Sequence, residues 1–203
     1  KLILTLFLLY REFTMMKDTR QQFSKITISL HWSVALLMIA LQAVGIYMTE
    51  NKDYSLYGLH KSFGVIVLVL ALGRVYWRMK NGWPLAAGNY KAWEHKLAHA
   101  VHWVLILGTL IMPVSGVIMS SMGGHNIPLF GIDLIPANHD PANPQDVLPR
   151  NAELGEMAEE VHEIVGYLLI ACIVLHIAGA LKHHIMDKDG TLMRMKGKRI
   201  DVE

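Results

Sequence analysis

The stretch that decides the fold is VHEIVGYLLIACIVLHIAGALKHHI, residues 161–185. It is apolar over the ~20 residues that a bilayer-spanning helix needs. It also carries two histidines, His162 and His176, fourteen residues apart. At about 100° and 1.5 Å per residue, fourteen steps return to within about 40° of the starting direction and climb about 21 Å. One face of one helix therefore presents two imidazoles at two depths. Ionisable groups inside a membrane segment are costly, so their presence points to a task.

Three further stretches, residues 26–49, 60–79 and 97–120, are also long and apolar. With residues 161–185 they predict an all-α fold, an integral membrane four-helix bundle. The composition agrees: 53% of the 203 residues are hydrophobic, 18% are charged, and the mean hydropathy is +0.32. This length suits a single bundle, expected over residues 23–195, with an N-terminal extension at 1–22 and a basic tail at 196–203. Glycines and one proline, Pro113, interrupt the spans, as membrane helices tolerate. The lone cysteine, Cys172, excludes an internal disulfide and any cluster held by several thiolates; in its apolar run it reads as packing. No solenoid repeat is visible, and no nucleic-acid partner is expected. Residues 2–10 are apolar but too short to span, and no small-residue cleavage site follows them. The expected start is Met15 or Met16, with an interfacial anchor as the alternative reading of the residues before it.

Lysines and arginines assign the sides. Arg11, Lys17, Arg20 and Lys25, then Arg74, Arg78, Lys80, Lys91 and Lys96, then Lys182, Lys188, Arg194, Lys196, Lys198 and Arg199 all lie with the termini. The opposite loops hold only Lys52, Lys61 and Arg150. Positive charge stays on the cytoplasmic side, so both termini are expected there. The loop at residues 121–160 is then outside. It contains five of the seven prolines and reads as irregular, with a short interfacial turn at 127–135.

The histidines now fall into pairs. His31 opens the first span near the inner face, His60 opens the second near the outer face, and His162 opens the fourth, also outer. His176 returns to inner depth. A single histidine at a helix end is ordinarily an interfacial polar group, but four matched in depth and face are not so explained. His60 with His162, and His31 with His176, suit two haem irons, each held by two imidazoles from facing helices. There is no C-x-x-C-H, so the expectation is two non-covalent b-type haems. Zinc is disfavoured, because the pairs are far apart and have no thiolate or carboxylate partner at depth.

Small residues support the pairing. Gly64 and Gly166 each follow an outer histidine by four positions, Gly179 follows His176 by three, and Gly45 follows His31 by fourteen. They leave room for a macrocycle, or else only let helices approach. Arg74 stands fourteen residues after His60 and so one level lower on the same face. Its guanidinium can pair with inner-haem propionates, the alternative being an interfacial arginine that snorkels. His95, His99, His102, His183 and His184 gather at the inner face. His99, His102 and His183 are expected to line a site near the inner haem. With His184 they could give protons or hydrogen bonds to a quinone head group there. The alternative is that members of this group stand in for His31 or His176 as ligands. His125 and His139 are expected to be solvated.

The motifs ISLHWSVALL, LHKSFG with GRVYWR, LAHAVHWVLIL, the helix-four stretch and the final DKDGTLMRM occur here in that order. In this arrangement the chain resembles the bacterial di-haem cytochrome b561 family, related to nickel-hydrogenase cytochrome b subunits. The resemblance covers residues 23–195 and implies His31, His60, His162 and His176 as haem ligands in a bacterial inner membrane. The family includes members that pass electrons from superoxide to ubiquinone.

The resulting expectation is a transmembrane electron-transfer cytochrome b. It would connect a small-molecule or protein donor outside to an acceptor such as the ubiquinone pool, with its enzyme class left open. The rival is a membrane-anchoring haem subunit that docks a larger redox enzyme. A transporter is disfavoured, since four spans without an inverted repeat leave little room for alternating access. Ten acids face three bases on the outer side: Glu50, Asp53, Asp133, Asp140, Asp146, Glu153, Glu156, Glu159, Glu160 and Glu163. Such a field repels anionic superoxide and weighs against superoxide oxidase activity.

Overall fold

The computed structural model describes residues 17–88 and 90–201. The readings of residues 1–16 lie outside the described residues. Four helices dominate: α1 (Lys25–Asn51), α2 (Tyr57–Asn81), α3 (Ala92–Met122) and α4 (Ala152–Ile185). All four are long and apolar enough to cross a membrane. A two-stranded hairpin, β1 (Ile127–Leu129) and β2 (Ile132–Ile135), lies between α3 and α4, and a short helix, α5 (Thr191–Met195), follows α4. The hairpin marks one end of the bundle; the described ends of the chain mark the other, called here the terminal end.

The first and fourth helices begin at side-chain caps. Ser24 caps α1, its hydroxyl accepting from the Thr27 N–H. Asp18 ties this cap down, accepting from the Ser24 N–H, the Thr27 hydroxyl and Arg78 of α2. Asn151 caps α4 by accepting from the Leu154 N–H, and Glu153 stands in the first turn, where the helix dipole favours an acid. α4 has 34 residues, so it is about 51 Å long and exceeds the ~30 Å hydrocarbon core. Its first turns are the acidic ones that hydropathy alone assigns to a loop. His162 therefore sits ten residues inside α4 rather than at its start.

The expected turn at 127–135 is an antiparallel hairpin, with Leu129 opposite Ile132. Phe130 and Gly131 both have positive φ, 49° and 95°, which a tight two-residue hairpin loop requires. Glycine takes this at no steric cost; Phe130 is held there because its N–H donates to Ser62 Oγ of α2, 3.1 Å away. Lys61 adds a bond from Nζ to the Asn126 carbonyl. The hairpin is thus fastened over the start of α2, next to His60.

The interior is narrow. Val34, Met38, Val67 and Leu169 form its buried centre, one or two side chains from each of three helices. Gly108 lets α3 close on α4, because a Cβ there would stand 2.5 Å from Leu169 Cδ2. Large apolar side chains face outward on every span, among them Leu36, Val69, Leu107 and Ile164. In water this would be an untenable surface; against lipid tails it is the expected one.

At the terminal end the C-terminal residues fold back on the start of the described chain. The Ile200 N–H donates to the Gln21 carbonyl, and Arg199 reaches Gln21 Oε1 at 2.6 Å. Arg194 is 3% exposed and donates from Nη1 to the carbonyls of Arg20 and Leu85. Its guanidinium also covers the Phe23 ring.

Candidate functional site

Two groups of histidines lie along α4, one level apart. Towards the hairpin end, His60 of α2 and His162 of α4 line one cavity of about 40 Å³, with Gly64, Met38, Gln42 and Met112 among its walls. Towards the terminal end, the rings of His31 of α1 and His176 of α4 have centres 6.1 Å apart. The four histidines singled out from sequence thus meet in the two expected pairs.

The hydrogen bonds of the rings differ. His162 Nδ1 lies 2.9 Å from the Met112 carbonyl oxygen and 3.1 Å from Ser115 Oγ. A carbonyl can only accept, so Nδ1 carries the proton and Nε2 keeps a free lone pair. His60 Nδ1 is buried without a hydrogen-bond partner, which calls for an explanation in a native interior. His31 Nδ1 lies 3.3 Å from Arg74 Nη2. A guanidinium only donates, so this ring accepts at Nδ1.

The glycines divide as well. A Cβ at Gly64 would meet nothing within 4 Å, and the same holds for Gly179. Gly166 is filled from outside: a Cβ there would stand 3.4 Å from Met112 Cε and 3.6 Å from Gln42 Oε1. Its carbonyl accepts from Gln42 Nε2. Gly45 faces the His60 ring, at 3.6 Å from Cε1.

The remaining histidines do not form one cluster. His102 sits with its ring centre 5.3 Å from that of His176. His99 stacks against Trp83 at 4.9 Å. His183 bonds Asp187 at 2.6 Å and lies on the Tyr90 ring. Only His102 shares the level of the His31–His176 pair through a ring contact. At the other end, burial and then the nearby Lys61 charge push the His125 imidazole below its ordinary value.

Above the hairpin-end pair lies a second cavity, of about 320 Å³, lined by residues including Tyr57, Met119, His125, Glu156 and Glu159. Tyr57, Met119 and Glu159 each stand three residues, or about 4.5 Å of helix rise, from His60, Gly116 and His162. Charge is distributed unevenly between the ends. Among the described residues, all five ion pairs lie at the terminal end, from Arg78–Asp18 to Lys182–Glu94 and His183–Asp187. None of the ten acids towards the hairpin end is in one.

Residues 22–198 match the profile of the family described as prokaryotic cytochrome b561. The chain belongs to that family. It is 29% identical over 186 residues to cytochrome b561 homolog 2 of Escherichia coli K12, covering 89% of this chain and 94% of the relative. Cytochrome b561 homolog 1 of the same organism is 30% identical over 186 residues, covering 88% and 98%. A probable superoxide oxidase of Yersinia pestis is 26% identical over 182 residues, again covering 88% and 98%. Membership implies b-type haem and makes the chain a multi-pass membrane cytochrome.

The residues of this cytochrome b561 suit such a group. The His31 and His176 rings, from two helices, have centres 6.1 Å apart, so both imidazoles could hold one iron. His162 presents a bare Nε2, and the buried His60 Nδ1 is unpartnered. A macrocycle needs more than the 40 Å³ now open between His60 and His162. Met38 and Met112 on its wall are flexible unbranched side chains that can give way.

Sequence reasoning singles out the four histidines and Arg74, but not the Met112 carbonyl, Ser115, Gly116 or the cavity around Tyr57 and Glu159. The PVSG stretch at residues 113–116 is a visible signal of an irregular, small-residue turn. It does not say which side chain of which helix would face it.

Proposed function

We propose that this cytochrome carries electrons between a donor at the hairpin end and a quinone acceptor, using two b-type haems. His60 and His162 would ligate one, and His31 and His176 the other. The observation that carries the reading is the pair of imidazole pairs at two levels on α4, one with ring centres 6.1 Å apart and one lining a shared cavity. When bound, each haem supplies a one-electron couple.

The chain's own residues do the rest. The Met112 carbonyl keeps a proton on His162 Nδ1 and so offers Nε2 outward. Arg74 is the cation placed to neutralise propionates at the terminal-end level, and taking them would release His31 Nδ1. Gly64 leaves open space beside the hairpin-end pair, while Gly166 contributes only once Met112 shifts. Of His99, His102 and His183, we assign His102 to the terminal-end group, because the other two are engaged by Trp83 and Asp187.

Orientation follows from charge. The bases gather at the terminal end, which supports cytoplasmic termini, a hairpin outside and a place in the bacterial inner membrane. The cavity of about 320 Å³ one turn above His60 and His162 is the proposed entrance. Glu156 and Glu159 on its wall favour an uncharged quinol or a basic redox protein over an anion such as superoxide. The unpaired acids also suit a membrane-anchoring role, which co-isolation of a stoichiometric partner would reveal.

The deciding experiment is the reduced-minus-oxidised optical spectrum of the purified protein with haem counted per chain. Two low-spin b-type haems per chain are expected; one or none overturns the scheme.

A further inference from the structure

We infer that residues 112–116 of α3 act as a positioning element for His162, selecting which of its nitrogens is free and where the ring stands. The inference rests on the reading of His162 as a haem ligand and adds the residues that make it one.

Three contacts converge on a single ring. The Met112 carbonyl lies 2.9 Å from Nδ1 and fixes the proton there. Ser115 Oγ donates to the same carbonyl at 2.9 Å, which leaves its lone pairs to face Nδ1–H from 3.1 Å. Ser115 is buried, so this geometry is not shared with water. Gly116 supplies the space: a Cβ there would stand 3.0 Å from His162 Cε1 and 3.3 Å from Nδ1. The ring cannot retreat from such a contact without leaving the carbonyl that holds it. Pro113 lies in the same turn and has no N–H to return to the Thr109 carbonyl, so this turn of α3 lacks one backbone hydrogen bond.

The partner ring has no counterpart to this. Gly45 touches His60 at an ordinary 3.6 Å, and His60 Nδ1 has no partner. His162 is thus the anchored member of the hairpin-end pair. A hydrogen bond from the distal nitrogen to a carbonyl raises the basicity of the ligating one and favours the oxidised metal. Weakening it should therefore raise the reduction potential of that centre alone.

The test uses the full-length protein in detergent, with Gly116→Ala, Gly116→Val, Ser115→Ala, Ser115→Thr and His162→Ala. The readouts are haem per chain, the low-temperature EPR signals of the two centres and their separate midpoint potentials. Gly116→Ala should shift the EPR signal and raise the potential of one centre, leaving the other as an internal standard. Gly116→Val should take haem from two per chain to one. Ser115→Ala should move the same EPR signal as Gly116→Ala, and Ser115→Thr, which keeps the hydroxyl, should restore it. If His162→Ala loses one haem while the Gly116→Ala and Ser115→Ala proteins keep both signals and both potentials, the positioning role is refuted and the ligand assignment stands. If His162→Ala keeps both haems, the ligand assignment itself falls, and this inference with it.

Discussion

The hairpin half and the terminal half of the bundle hold their histidines in opposite states of preparation. In the hairpin half, His162 donates a hydrogen bond from Nδ1–H to a backbone carbonyl and keeps Nε2 bare. In the terminal half, His31 accepts at Nδ1 from Arg74, which places the proton of a neutral ring on the other nitrogen. The first arrangement leaves Nε2 bare, and in the second Nδ1 is covered by a cation. The surroundings differ in the same sense. The terminal half is laced with ion pairs, and the hairpin half carries acids that pair with no base among the described residues. The lesson is that residue type and depth make the pairs look alike, while the atom facing each Nδ1 makes them unlike. In the proposed scheme the terminal half accepts its group only as Arg74 exchanges an imidazole for a carboxylate, a stronger partner for a guanidinium.

The comparison can be broken most decisively by deleting one ligand from each half. His162→Ala and His176→Ala are each expected to reduce haem from two per chain to one, and the centres that survive should differ in potential and spectrum. The same surviving centre in both variants would mean that the halves are not separate sites. Arg74→Gln sharpens the contrast next. Loss of the cation should lower the terminal-end potential by about 60 mV, a tenfold change in a one-electron equilibrium. The hairpin-end potential should hold, and redox titration of the variant against the parent measures both.

A smaller effect is expected from salt. Stopped-flow reduction by superoxide should be slow and should accelerate as ionic strength screens the acidic hairpin end. A cationic donor should show the reverse, and a fast superoxide reaction that salt slows would remove the electrostatic distinction between the ends. The smallest effect concerns the ion pairs of the terminal half. Bonding to Lys182 and then His183 holds the Asp187 carboxyl below its ordinary value. A depressed folded value stabilises the fold above the unfolded pKa of about 3.9 and loses that contribution as pH falls through the folded value. Asp187→Asn should therefore lower the thermal midpoint slightly at pH 7, with the difference shrinking in acid.

Much of this was legible in the residues. Four apolar runs predict four helices, and the fourteen-residue spacing on α4 predicts that His162 and His176 serve different partners at different depths. The start of α4 was less legible. Glu153, Glu156, Glu159 and Glu160 read as loop by hydropathy, yet the Asn151 cap and the dipole of the first turn support a helix there. A turn was read at 127–135, but its strand pairing escaped because the strands are three and four residues long and the loop depends on Phe130 being held at positive φ by Ser62. The contrast between the pairs was out of reach for a different reason. It rests on a backbone carbonyl and on the absence of a side chain at Gly116, and neither leaves a periodic signal. Gly166 shows the converse: it looks like room for a ring, but Gln42 and Met112 occupy the room.

Placing His162 and His176 on one unbroken helix also makes α4 a ruler. The interval between the two rings is set by covalent rise, not by how the helices happen to pack, so thermal breathing of the bundle or a thinner bilayer alters it little. The cost of such a ruler is intolerance to errors of register. One residue inserted between the two histidines would turn one of them by about 100° away from its partner helix. Seven would restore the face but lengthen the interval by about 10 Å. At its outward-facing positions, such as Ile164, the segment between the two histidines can thus vary in which apolar residue it uses, yet hardly at all in how many residues it has.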